Sequence, residues 1–249
     1  MVRLKTAEDI EILAEGGLHL FKILEELERM AKPGVTGRQL DDYARRATST
    51  IGAKPAFLGH GGFPNGVCVS VNDAVVHGLP TDIPFQEGDI VGIDYGLIYK
   101  GLYTDSARTI AIGTISPEKQ RLLDVTKKAL DIGIAAATVG ATTGDIGHAV
   151  QTYVEGEGFG VVRQLVGHGV GYGVHEKPSV PNFGAARSGH KLEENLVIAI
   201  EPMVTVGDPQ VETAEDNWTI VTRDGSLSAH FEHTVAVTAA GPRILTAPA

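Results

Sequence analysis

The chain predicts an α+β fold in which two similarly built halves share one antiparallel core. Three observations carry this: helical periodicity precedes β-alternation, that order is given twice, and no Pro/Ser-rich linker intervenes. The halves run near 1–112 and 116–245 of a single domain of 249 residues. A chain of this length buries roughly 75% of its unfolded surface, enough to hold a polar site in a rigid interior.

In residues 7–30, Ile10, Leu13, Leu18, Phe21, Leu24 and Leu27 recur at helical spacing with charges between them. Pro33-Gly34 ends that pattern, and Thr36 is placed to cap a second helix through Leu40 and Tyr43 to about Ser49. From 67 to 76, and again from 90 to 112, the pattern turns β-branched and alternating. Pro117 opens a third helix, Gln120 to about Ala136, and a fourth lies near 146–155, stopped by Gly156 and Gly158. Gly-rich and β segments follow at 167–174, 196–205, 218–222 and 230–238.

Hydrophobic residues make up 43% and charged residues 21%, ordinary globular usage. A net charge of −10 argues against a nucleic-acid or anionic-membrane partner, since both need a basic surface. Carboxylates that bind metal would account for part of that acidity. The one cysteine, Cys68, rules out an internal disulfide and a multi-cysteine zinc site. Residues 1–16 interleave charges with apolar positions, unlike a signal peptide, and no uncharged apolar run reaches about 18 residues. The expectation is a cytoplasmic protein, and a monomer, because nothing signals a dimer seam.

Two strands flank a turn near Tyr99-Lys100-Gly101. Centred between Tyr99 and Lys100, the hairpin would set Asp94 directly opposite Asp105, with Cβ atoms about 4.5–5.5 Å apart. Like charges so placed repel, and Asp is a poor strand former, so a compensating divalent cation is one explanation. Two exposed Asp residues on a wet face explain the pair equally well.

The segment from Gly167 to Pro178 alternates glycine with larger residues and carries His168 and His175. Glycine lets backbone approach a ligand closely, and imidazole is the commonest nitrogen ligand and a proton carrier. A Gly-rich turn whose histidines bond only to backbone is the plainer reading. Glu201 ends the apolar run Leu196-Val197-Ile198-Ala199-Ile200, and Glu232 lies in the similar run 230–237. A carboxylate there is costly unless paired or metal-bound. Two Asp, one His and two Glu spread through one chain make a more specific pattern. It suits a carboxylate-bridged pair of metals about 3.5–4 Å apart.

Several stretches together resemble the type I methionine aminopeptidases of the pita-bread fold, over nearly the whole chain. They are Val69-Ser70-Val71-Asn72-Asp73 with Val76-His77-Gly78-Leu79-Pro80, Ile93-Asp94 with Thr104-Asp105, Gly167-His168-Gly169-Val170-Gly171, Ile200-Glu201-Pro202-Met203 and Phe231-Glu232-His233-Thr234. The resemblance implies a curved antiparallel sheet with helices outside. It implies five metal ligands, Asp94, Asp105, His168, Glu201 and Glu232, with Asp105 and Glu232 bridging. His77 and His175 would line the substrate site without holding metal. Cys68, Phe63 and Trp218 match methionine-pocket positions, although ordinary core packing would also explain each.

The spacing between His168 and Glu201 leaves no room for the helical insert of type II enzymes. The resemblance is to bacterial forms rather than to eukaryotic type I forms with their zinc-binding N-terminal extension, so a bacterial-type enzyme is expected. The chain departs from the family in two places: His60-Gly61-Gly62-Phe63-Pro64 stands where a bulkier pair usually precedes Gly, and Val174 stands where some relatives carry Phe. Both bear on the pocket rather than on the ligand set.

The chemistry implied is hydrolytic removal of an initiator methionine before a small second residue, by a water activated between two divalent ions (Co, Mn, Fe or Zn). Partners would be peptide and nascent-protein N-termini, with the ribosome as a candidate contact. Glu201 would also move the proton, His175 polarise the scissile carbonyl, and His77 bond near the amine. Two rivals share the fold: an X-Pro aminopeptidase or prolidase, and a non-catalytic binding protein.

Overall fold

Each helix begins where a side chain can accept the first free backbone N–H groups. The structure is a computed structural model in which residues 2–248 are described. Helix α1 spans Ala7–Met30, with Thr6 and Asp9 forming a reciprocal capping box. Thr36 with Gln39 caps α2 (Gly37–Thr50), Ser116 with Pro117 at the first turn opens α3 (Pro117–Ala136), and Thr142 with Asp145 caps α4 (Thr143–Gly156).

Six of the strands make two small three-stranded sheets, and the other nine form one antiparallel sheet beside them. Its path runs Lys54–Pro55, Ile90–Tyr99, Leu102–Ala111, Glu232–Thr238, Val197–Ile200, Gly167–Gly169, Glu176–Val180. Val67–Val71 adds to Ile90–Tyr99, and Gly241–Ile244 adds to Glu232–Thr238. The first helix-then-strand set meets the second where Leu102–Ala111 pairs with Glu232–Thr238, at Ser106 opposite His233 and Ala107 opposite Glu232.

Period-2 alternation divides the work of the sheet. Val91, Ile93, Tyr95 and Leu97 pack against Leu20, Leu24 and Leu27 of α1 and Leu40 of α2. Burying each such leucine contributes about 1.5–3 kcal/mol. Asp94 and, across from it, Cys68 face the other way. In the second half, Val235, Val237, Ile198 and Ile200 cluster with Leu130 and Ile134 of α3 and Ile146 of α4. One face of the sheet is thus given to helices, and the other is free to hold polar groups.

Five expected strands are shorter or interrupted, among them 218–222, which is a strand only over Ile220–Thr222. The 67–76 stretch breaks at Asn72 (φ 56°), 196–205 breaks at Pro202, which cannot donate to a ladder, and 230–238 breaks at Phe231. The 167–174 stretch is a strand only over Gly167–Gly169, after which the chain loops to Glu176.

The hairpin register differs from the expected one. Tyr99 pairs with Leu102, so Asp94 lies opposite Ala107 and Asp105 opposite Gly96. The turn's central pair is Lys100-Gly101, with φ 48° and 86°. Both central residues of this tight hairpin turn need positive φ, and glycine meets that requirement at Gly101 without strain. Moving the centre by one residue slides the pairing by two, which preserves the face. The aspartates are therefore diagonal neighbours on one side of the sheet, still within reach of each other.

Candidate metal centre and substrate cleft

All ten residues singled out in the sequence line one cavity of about 180 Å³. The elements that deliver them are far apart in the chain. Asp94 and Asp105 come from the central hairpin, Glu232 from the first position of its strand, and His168 from the middle of Gly167–Gly169. Glu201 sits between Val197–Ile200 and Met203–Thr205, its carbonyl accepting from Asn182 Nδ2 at 3.0 Å. His77 follows the strand Ala74–Val76 with φ 58°, an uncommon conformation for a residue with a Cβ.

Ligand-capable atoms of Asp105, His168 and Glu232 lie within 4.8 Å of one another. Asp94 and Glu201 face the same cavity, with Glu201 Oε1 3.5 Å from His168 Nε2. Three carboxylate oxygens, Asp94 Oδ1, Asp105 Oδ1 and Glu232 Oε1, are buried without any hydrogen-bond partner. Buried acceptors normally find donors, so three orphans converging on one cavity fit a cation-binding role.

The electrostatics agree. Burial, then the charges of Asp105 and Glu201, hold the Asp94 carboxyl well above the usual range. Burial raises Glu232 similarly, reinforced by Asp105, Glu201 and Asp94. Asp105 is pushed up to about 6, chiefly by burial, with His168 opposing. Glu201 goes the other way: burial raises it, but His230, His168 and His175 outweigh that and bring it below the ordinary value. One proton-shy glutamate beside three proton-retaining carboxyls is a division that a cation would erase for the latter. The donor set, carboxylates with one imidazole, fits hard to borderline divalent ions.

The rest of the cavity is apolar. Phe63 and Trp218 meet edge to face at 5.3 Å between ring centres, and Phe57, Cys68 and Val174 cluster with them. Cys68 is held as the neutral thiol, its pKa raised by burial and then by the neighbouring carboxylates. His175 lies at the mouth, partly open to solvent, its ring 4.4 Å from that of His168. Enclosure of the rest of that ring, then the neighbouring imidazole, pushes it down to about 4. His77 is also lowered, by burial. A second cavity of about 470 Å³ adjoins the first and shares His77, His168, His175 and Glu201 with it.

The sequence reading missed three residues. His230, buried, sets Nε2 3.5 Å from Glu201 Oε2, so each oxygen of that carboxylate faces an imidazole. It stood in view within the run 230–237, where His233 looks the same in one dimension. His60, noted only as a departure, places its ring 5.3 Å from that of His175. Phe57 left no signal, since its loop joins the pocket only through the tertiary fold.

Residues 22–239 match the sequence profile of metallopeptidase family M24. The chain belongs to this family. Among members, the methionine aminopeptidase of Clostridium acetobutylicum is 46% identical over 247 residues, covering 99% of each chain. Methionine aminopeptidase 1 of Bacillus subtilis is 45% identical over 246 residues, again covering 99% of each. The crystal structure of methionine aminopeptidase from Thermotoga maritima superposes with a TM-score of 0.98 at 42% identity, covering the whole of both chains. The prolidase of Pyrococcus horikoshii, at 23% identity and TM-score 0.81, shares the fold, and this chain spans 64% of its length. The architecture is the pita-bread fold, and the resemblance read from the motifs holds for both family and fold.

Proposed function

We propose that the chain removes N-terminal methionine from peptides and nascent proteins, and that the ten cleft residues divide that work as follows. The observation that carries the reading is the junction of two cavities. An apolar pocket on one side and a more polar cleft on the other share His77, His168, His175 and Glu201. A methionine side chain in the first cavity and the next residue in the second would bring the peptide bond between them to these groups.

Asp94, Asp105, His168, Glu201 and Glu232 would hold two divalent ions, which when bound supply an activated water and a Lewis acid for the carbonyl. Phe63, Trp218 and Cys68 take the unbranched side chain and exclude water from it. His175, neutral near pH 7 because it titrates at about 4, donates a ring N–H to the carbonyl oxygen as negative charge develops there. The Glu201 carboxylate, whose hydrogen bond with His230 favours the ionised form against burial, carries the proton that must reach the leaving amine nitrogen. His77 bonds near that nitrogen.

In this reading the whole chain acts as one catalytic domain. It works in the cytoplasm as a monomer meeting nascent chains near the ribosome; kinship with bacterial methionine aminopeptidases supports the choice of substrate. No described helix is long and apolar enough to cross a membrane. The test is methionine release from Met-Ala-Ser by metal-stripped protein, with and without added Mn or Co, beside an Ala-Pro peptide. Metal-dependent release from the first peptide alone is expected. Cleavage of the Ala-Pro peptide instead would make the enzyme prolidase-like, and no cleavage of either would leave a binding protein.

A further inference from the structure

The cleft's catalytic loop is anchored from the far end of the chain. Lys5 is 3% exposed although charged, and its Nζ donates to Glu176 Oε2 at 2.9 Å and to the Arg3 carbonyl at 3.2 Å. The other oxygen of that carboxylate, Glu176 Oε1, accepts the backbone N–H groups of Tyr172 and Gly173. Glu176 thus closes the loop that follows Gly169, and His175 is its immediate neighbour.

Three further contacts hold the same segment against this loop. The Arg3 guanidinium lies 3.9 Å from the centre of the Tyr172 ring, and the Tyr172 hydroxyl donates to Asp9 Oδ2 at 2.6 Å. At Gly171, φ is +131°, and a Cβ there would fall on Lys5 Cε, so the glycine makes room for the lysine stem. Lys5 N donates to the Asn195 carbonyl at 2.9 Å, fixing the lysine's own backbone.

A buried ion pair contributes little net stability, because desolvating both charges offsets their attraction. What it does supply is a defined geometry, since either partner alone would be a buried uncompensated charge. Here that geometry is spent one residue from an imidazole whose position matters to within a fraction of an ångström.

We propose that Lys5 is a positioning residue: through Glu176 it sets the loop so that the His175 ring points into the cleft. The proposal rests on the reading that His175 assists the reaction. Lys5 lines neither cavity, and its side chain bonds to Glu176 and the Arg3 carbonyl rather than to any of the five carboxylate and imidazole groups of the candidate metal centre.

The test compares Lys5→Met, which keeps the apolar stem, with His175→Ala and the double variant, on Met-Ala-Ser with Mn. Expected are a kcat drop of about ten- to hundred-fold in Lys5→Met with KM nearly unchanged, Mn affinity by calorimetry nearly unchanged, and a double variant no slower than His175→Ala. In the metal-free protein, ring ¹⁵N–¹H signals of His175 should shift or broaden in Lys5→Met while those of His77 stay put. Glu176→Gln should reproduce the same non-additivity with His175→Ala, and serves if Lys5→Met folds poorly. Losses that multiply in the double variant, or unmoved His175 signals, would overturn the inference. A fully active His175→Ala would remove its basis too, and that failure would belong to the reading of His175 rather than to the Lys5–Glu176 contact.

Discussion

Replacing Asp105 by Asn should make the metal-free protein more stable, the reverse of what most buried substitutions do. Asp105 is 3% exposed, its Oδ1 has no partner, and its carboxyl is pushed up to about 6 by burial. About two pH decades separate that from an ordinary Asp near 3.8. At about 1.4 kcal/mol per decade, ionising Asp105 in the metal-free fold costs on the order of 3 kcal/mol at pH 7.5. Asn has the same shape, carries no charge, and offers an amide donor to the carboxylates beside it. The backbone bonds to Thr234, Asp105 N to Oγ1 at 2.9 Å and Oγ1 to the Asp105 carbonyl at 2.8 Å, are untouched.

A folded-state pKa above the unfolded value contributes stability that is intact below about pH 4 and lost as pH rises through about 6. The wild type should therefore lose this contribution across that window, and Asp105→Asn should not. A net gain of about 1–3 kcal/mol corresponds to a Tm rise of roughly 2–12 °C for a chain of this size at pH 7.5, shrinking toward zero at pH 4.5. Circular dichroism melts in excess chelator read both values. Adding Mn reverses the ranking, because binding to the native state stabilises the wild type by mass action and the variant far less. An Asp105→Asn protein that melts at or below the wild type at pH 7.5, or gains equally at both pH values, would refute the reasoning.

Three further outcomes follow from the same structure. Asp41→Ala removes the buried Oδ1 that accepts Gly66 N at 2.7 Å and Val67 N at 3.0 Å; two stranded donors should cost about 3–5 kcal/mol in urea unfolding, and a loss under about 1 kcal/mol would contradict the account. Trp218→Ala opens the apolar wall, and kcat/KM for Met-Ala-Ser should fall about 10–200-fold with Mn affinity unchanged; equal activity would remove Trp218 from the pocket's work. His175→Ala should lower kcat about 10²–10³-fold with little change in KM. Because His175 titrates at about 4, the wild-type rate should show no acid limb from this group between pH 5 and 8. A change confined to KM would argue against its role in the transition state.

Local chemistry made the helices legible. Thr36, Pro117 and the Gly156–Gly158 stop act within a turn of themselves, so their message survives in one dimension. The candidate metal centre was legible for a related reason: an Asp or Glu inside or at the end of an apolar strand violates the strand's own pattern, as Asp94 and Asp105 do within theirs and Glu201 and Glu232 at the ends of theirs. What stayed hidden depended on relations between segments. The Asp94–Asp105 pairing hinged on which two residues make the turn, and Lys100-Gly101 differs from Tyr99-Lys100 only in where positive φ falls. His230 and His233 flank the same glutamate, yet one meets Glu201 and the other bonds Thr246 Oγ1 at 2.8 Å through Nδ1. Only the break at Phe231 separates those fates, and nothing in the residue types announces it. Lys5 and Glu176, 171 residues apart, look like two ordinary surface charges until the fold buries them together. The legible residues thus break a local rule, whereas the hidden ones obey every local rule and take their meaning from a partner. By that criterion, partners such as His230 and Lys5 have to be sought around the groups whose misfit the sequence already declares.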